Sequence, residues 1–174
     1  VADLVLDFVK AHAETPVVLD PVLVCKETHD VEVSALRDEL IKFFPYTNII
    51  TPNLPEAELL AQKELRTLED VKEAAKLLHS LGAKSVVIKG GNRLDIQKAI
   101  DVYYDGKQFK ILESPVLDKN NTGAGCTFAS SIASQLLLGK STFEAVQISK
   151  EFVYRAIQHS DQYGVVQYEK ESDA

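Results

Sequence analysis

The sequence predicts an α/β fold in three layers, α/β/α, around a mostly parallel central sheet. Three short, unbroken apolar runs, Pro16–Asp20, Asn48–Thr51 and Ser85–Ile88, read as strands buried on both faces. Segments with apolar residues at helical spacing separate them, which is the alternation that builds a parallel sheet covered by crossover helices. Right-handed crossovers then bring the ends of all three strands to one side of the sheet. Asp20, Asn53, Glu56, Lys89 and Gly90 lie at or just past those ends, where open α/β sheets bind ligands.

The elements follow in order. Val1 to Ala13 carries Val1, Leu4, Val5, Phe8 and Val9 on one helical stripe. The first strand ends at Asp20-Pro21, and Val22 to Asp30 is a loop holding Cys25 and Lys26. Val33 to Phe44 is a second amphipathic helix, with Leu36, Leu40, Ile41 and Phe44 inward. The second strand is closed by Pro52-Asn53-Leu54-Pro55-Glu56, and Pro55 suits the first turn of a helix through Leu60. Thr67-Leu68-Glu69-Asp70 has the spacing of a capping box and opens the helix Val71 to Leu81, which Gly82 stops.

After the third strand and Lys89-Gly90-Gly91 the pattern changes. Asp101 to Tyr104 and Lys107 to Leu112 flank Asp105-Gly106 and read as a β-hairpin with an Asp-Gly turn. The stretch Asn120-Asn121-Thr122-Gly123-Ala124-Gly125-Cys126-Thr127-Phe128 then leads into an apolar helix through Leu138. Thr142 to Ser160 forms a last amphipathic helix, and the polar tail Asp161 to Ala174 is expected to fray. No repeat, low-complexity segment or linker interrupts the chain, so residues 1–174 read as a single domain.

Composition narrows the functional class. The 174 residues are 45% hydrophobic, enough for one core of ordinary size. A net charge of −7 and a pI near 5.1 argue against a nucleic-acid or anionic-membrane partner. The two cysteines lie far apart, outside any C-x-x-C pair, and His12, His29, His79 and His159 are scattered, so neither a disulfide framework nor a zinc site is suggested. No apolar run reaches the ~18 residues of a membrane span, and no signal peptide opens the chain, which predicts a cytoplasmic protein.

The chemistry concentrates in the glycine stretch. Gly123 and Gly125 let the backbone turn tightly and approach a ligand closely. A helix starting there points free N–H groups and the positive end of its dipole at the loop, which makes an anion site suited to phosphate. Cys126 sits in the first turn, where the same field favours a thiolate. Two other glycine motifs are excluded. A dinucleotide fingerprint wants a third Gly where Phe128 stands. A Walker A loop ending in Gly139-Lys140-Ser141 wants Gly where Ser134 stands.

Thr122-Gly123-Ala124-Gly125-Cys126-Thr127 resembles the anion-hole motif of the ribokinase-like superfamily, with Cys where most sugar kinases have the catalytic Asp. Cys at that place resembles the vitamin-kinase branch, which comprises hydroxymethylpyrimidine (phosphate) kinases and the pyridoxal kinases similar to them. Many of that branch have His where this chain has Thr122. Three further motifs match in order over about Val17 to Ile157: Leu19-Asp20-Pro21-Val22, Asn53-Leu54-Pro55-Glu56 and Lys89-Gly90-Gly91. The resemblance implies a ribokinase-like fold lacking its N-terminal strands, so that the chain is the C-terminal, nucleotide-side portion of such a kinase.

The resemblance also implies roles. Gly123, Ala124 and Gly125 would form the anion hole, Cys126 would be the base, and Asn53, Lys89, Gly90 and Gly91 would bind the nucleotide. Glu56 and Asp20 would organise Mg²⁺ with ATP. The partner is a small molecule bearing a primary alcohol, pyridoxal or alternatively hydroxymethylpyrimidine, and the full-length protein is expected to be a homodimer. Val24-Cys25-Lys26 looks like the bacterial pyridoxal-kinase form, in which the Cys25 thiolate can add reversibly to the pyridoxal aldehyde. A reading of another class stays open beside these: an inactive nucleotide-binding or oligomerisation module.

Overall fold

The computed structural model describes residues 1–23 and 30–167, with backbone alone for 30–33. It contains α1 (Ala2–Ala11), β1 (Val18–Leu19), α2 (Asp30–Ile41), β2 (Ile49–Ile50), α3 (Leu54–Ala61), α4 (Leu68–Ser80) and β3 (Val86–Lys89). Then follow β4 (Lys98–Tyr104), β5 (Phe109–Pro115), α5 (Ala124–Leu137) and α6 (Thr142–Gln158). The five strands form one sheet in the order β1-β2-β3-β4-β5. The α/β class and the alternation of strands with helices are as the sequence predicts.

The sheet is mixed, where the sequence suggests a mostly parallel one. β1, β2 and β3 pair in parallel, while β3–β4 and β4–β5 are antiparallel. The reason lies in connection length: parallel neighbours need a crossover helix, whereas β4 and β5 return directly. The Asp105-Gly106 turn is placed correctly but is longer than an Asp-Gly pair. Tyr104 faces Phe109, so four residues close the hairpin. The Asp105 carboxylate accepts from the amides of Lys107 and Gln108, both at 2.9 Å, and Gly106 takes φ +88.

Side-chain alternation along the strands creates the two cores. Ile50, Val86, Ile88 and Val102 point to the layer built by α3 and α4, with Phe44, Leu60 and Leu78. Ile49, Val87 and Tyr103 point the opposite way, onto Phe128, Ile132, Ala145 and Val146 of α5 and α6. Every one of these strand residues is 4% exposed or less, which explains the unbroken apolar runs in the sequence. Among the described residues no helix is long and apolar enough to cross a membrane.

Local capping fixes where several helices start. Thr67 and Asp70 form the expected capping box, and Ser141 and Glu144 form another at α6. Gly82 follows α4 with φ +123, and a Cβ there would lie 2.8 Å from Pro45 Cγ. The expectation of a frayed tail fails for Asp161–Val166. Val165 donates its amide to Thr122 O at 3.0 Å, and Val166 donates to Ala156 O at 3.1 Å. Backbone pairing, which a polar sequence does not advertise, holds this segment down.

Candidate active site

The strand ends assemble the first half of the site. Asp20 follows β1, and its Oδ1 accepts from Thr51 Oγ1 at 2.8 Å and from Lys89 Nζ at 3.0 Å. The Asp20 and Lys89 side chains are 19% and 18% exposed, so the pair is shielded without being sealed. Asn53 stands beside Lys89 in a parallel bridge, and the Lys89 amide donates to Pro52 O at 2.9 Å. Residues 69 positions apart in sequence are thus held together by the register of the sheet.

Asn53 and Glu56 form a reciprocal cap on α3. The Glu56 amide donates to Asn53 Oδ1 at 2.9 Å, and Glu56 Oε2 accepts from the Asn53 amide at 2.7 Å. Glu56 is only 5% exposed. Burial raises its carboxyl above the ordinary 4.5, against the Asn53 hydrogen bond and the Lys89 charge, which pull the other way. A raised acid holds its proton more tightly when folded, so the stability it contributes is present below 4.5 and is lost as pH rises through the folded value. Glu56→Gln imitates the protonated form. Its melting temperature is expected to gain on the parent's as pH climbs above 4.5; a difference constant with pH would remove burial as the dominant influence.

The glycines divide by physical role. A Cβ on Gly90 would lie 2.3 Å from Ile100 O, so the close approach of β4 demands glycine there, and the Gly90 amide donates to that carbonyl at 2.9 Å. Gly91 takes φ +55 with open space around it. Gly123 is the N-cap of α5 at φ +86, with no side-chain cap. The Ala124 amide donates to Asn121 O at 3.0 Å. Helix geometry leaves the Gly125 and Cys126 amides without intrahelical acceptors. A Cβ on Gly125 would sit 3.3 Å from Lys89 Nζ, which places the lysine ammonium directly against the start of α5.

These pieces border a cleft of about 470 Å³, with Asn53, Lys89, Gly90, Gly91, Ala124 and Gly125 among its walls. Cys126 is exposed and borders a different groove, with Thr127, Ser130 and Gln167. The start of α5 therefore presents backbone to one cleft and a thiol to the other side. Cys25 and Lys26 lie outside the described residues. Among the described residues, no three of His, Cys, Asp and Glu gather into a metal cage. Asp20 and Glu56 suit a cation that takes one or two carboxylates and completes its shell with water and phosphate oxygens, as Mg²⁺ does.

Asp101 and Lys150 form a further pair in this cleft that no sequence motif marks. Lys150 Nζ reaches Asp101 Oδ2 at 2.7 Å and Ala99 O at 3.3 Å, with both side chains 12% exposed. Asp101 stands across from Lys89 in the β3–β4 register, so the ion pair fastens α6 beside Lys89. In sequence Lys150 resembles any charge on the polar face of an amphipathic helix. The signal available was the single acid in the middle of the otherwise apolar run Ala99 to Tyr104.

Comparison with known proteins follows the same line. The family model described as phosphomethylpyrimidine kinase matches residues 1–170. A pyridoxine kinase of Bacillus subtilis is 45% identical over 150 residues, covering 83% of this chain and 54% of its own length. A hydroxymethylpyrimidine/phosphomethylpyrimidine kinase of Aquifex aeolicus is 39% identical over 169 residues, covering 94% and 65%. The structure of the pyridoxal kinase from Staphylococcus aureus in complex with AMP-PCP superposes with a TM-score of 0.77 at 38% identity, covering 88% of this chain and 59% of that one. The chain spans about half to two thirds of the length of these two kinases. Residues of three of the motifs line one cleft, and Asp20 of the fourth is tied to it through Lys89; the fold is shared with these kinases, and the chain belongs to the phosphomethylpyrimidine kinase family.

Proposed function

We propose that this chain is the nucleotide-side portion of a kinase that transfers the γ-phosphoryl group of ATP to the hydroxymethyl group of pyridoxal. The observation that carries it is the meeting of Lys89, anchored on Asp20 at 3.0 Å, with the uncapped start of α5 at Gly125. Phosphoryl transfer needs positioned positive charge more than covalent chemistry, and this corner concentrates it. Asn53, Lys89, Gly90 and Gly91 hold the nucleotide. The Gly125 and Cys126 amides, in the turn made by Gly123 and Ala124, hold charge on the group in transit. Cys126 as thiolate accepts the proton of the alcohol; the alcohol oxygen bonds to the γ-phosphorus as its bond to ADP breaks. Mg²⁺, when bound near Glu56 and Asp20, neutralises phosphate charge.

Pyridoxal is favoured as acceptor by the similarity to the Bacillus subtilis pyridoxine kinase and by Val24-Cys25-Lys26. The family model and the Aquifex aeolicus relative favour the second reading, hydroxymethylpyrimidine. The test is a substrate panel on the protein expressed from its full reading frame, with ATP turnover by this chain alone assayed beside it to expose an inert module. A thiolate can add to the pyridoxal aldehyde as a hemithioacetal, and pyridoxine offers no such electrophile. Cys25→Ala is expected to lower kcat/KM for pyridoxal by about tenfold or more, ~1.4 kcal/mol of transition-state stabilisation, while pyridoxine is phosphorylated near the parent rate. Equal losses on both substrates would make Cys25 a bystander and raise the pyrimidine to first choice.

A further inference from the structure

The segment after α6 doubles back over the turn that opens α5 and grips it at both ends. Upstream of Gly123, the Val165 amide donates to Thr122 O at 3.0 Å, and Asn120 Nδ2 donates to Asp161 O at 3.0 Å. Downstream, Gln167 Nε2 donates to Thr127 Oγ1 at 2.8 Å, and Thr127 is 8% exposed. The segment is itself preformed. The Asp161 carboxylate accepts from the amides of Tyr163 at 2.8 Å and Gly164 at 3.2 Å, and the Asp161 amide donates to Gly164 O at 3.0 Å. Gly164 takes φ +149, and a Cβ there would lie 2.6 Å from Thr122 O. Close apposition of the two backbones therefore requires glycine at this position.

We propose that Asp161–Gln167 is a positioning strap that fixes the direction in which the Gly125 and Cys126 amides and the Cys126 thiol point. The inference rests on the reading of that turn as the phosphoryl-holding element. Gly123, at φ +86 and without a side-chain cap, has little of its own to hold it in one conformation. Donors aimed at developing charge act only when held in place beforehand. Restraints on Thr122 and Thr127, immediately outside the four residues from Gly123 to Cys126, supply that rigidity from outside the loop. Gly164, Val165 and Gln167 are absent from the walls of the cleft shared by Lys89 and Gly125, so they act through the turn and not on the nucleotide.

The test compares Gly164→Ala and Gln167→Leu with the parent, in the protein expressed from its full reading frame, by amide hydrogen exchange and steady-state kinetics. Losing one such hydrogen bond is expected to speed exchange of the 122–127 amides roughly fivefold to tenfold, with β3 unchanged. Misalignment of the turn is expected to lower kcat roughly tenfold to a hundredfold in Gly164→Ala, with KM for ATP within about twofold. Gln167→Leu, which disturbs no backbone contact, should move both quantities in the same direction by less. Three outcomes overturn the strap: unchanged exchange at the turn, faster exchange there with parental kcat, or β3 exchange rising by the same factor as the turn. A parent protein that does not turn over ATP defeats the kinase reading instead, and the exchange contrast then decides by itself whether the segment holds the turn.

Discussion

Cys126→Ala is expected to fold like the parent and to lose most phosphoryl transfer, by about two to four orders of magnitude in kcat, the usual worth of a positioned general base. The two halves of that expectation have separate grounds. The thiol is exposed, so its removal opens no core cavity, and the α5 turn is fixed by backbone contacts that alanine preserves. The chemical loss follows from position: Cys126 shares a helix start with Gly125, which stands against Lys89, yet its side chain borders the opposite groove. In the proposed mechanism the Cys126 thiol takes the proton of the acceptor alcohol while the backbone beside it holds the phosphoryl group, and alanine keeps only the second of these. Cys126→Asp restores the sugar-kinase residue and is expected to recover part of the rate. Kinetics on the protein from its full reading frame, with melting curves as the folding control, make the comparison; parental turnover in a folded Cys126→Ala protein would falsify the assignment.

What was legible in the sequence was local or periodic. Buried strands announce themselves as apolar runs because both faces are covered, and Ile49-Ile50 and Val86-Val87-Ile88 do so because alternate residues enter different cores. The Thr67–Asp70 box is readable because all its atoms come from four consecutive residues. Asn53 and Glu56 were assigned to the site from a motif; the structure adds that they cap each other, so one pair of side chains both starts α3 and lines up at the strand ends. The mixed sheet was less visible, since a hairpin pattern does not say which edge it joins. The Asp101–Lys150 pair and the grip of Asp161–Gln167 on the α5 turn were not legible at all. Each depends on contacts between residues about 40 or more positions apart, and each uses polar residues that a linear pattern assigns to solvent.

Lys89→Met tests the other half of the site. Lys89 closes β3, donates to Asp20 at 3.0 Å and lies 3.3 Å from the place a Cβ on Gly125 would take, so its ammonium bridges the strand ends and the turn that opens α5. Methionine keeps an unbranched apolar stem of similar reach and removes only the charge and its donors. Loss of one preorganised charge beside the transferring group is expected to lower kcat/KM for ATP about a hundredfold to a thousandfold. The fold should tolerate the change, because Asp20 keeps its hydrogen bond from Thr51 and, at 19% exposure, access to water. Lys89→Arg separates charge from shape: guanidinium is wider and planar, and the close approach at Gly125 leaves it little room, so only partial activity is expected. Asp20→Asn should also slow the enzyme by releasing the ammonium from its anchor, and combining it with Lys89→Met should add little, since the two act through one contact. Fully additive losses in that double mutant would mean that Asp20 acts independently of Lys89, and parental kcat/KM in Lys89→Met would remove the lysine from the site.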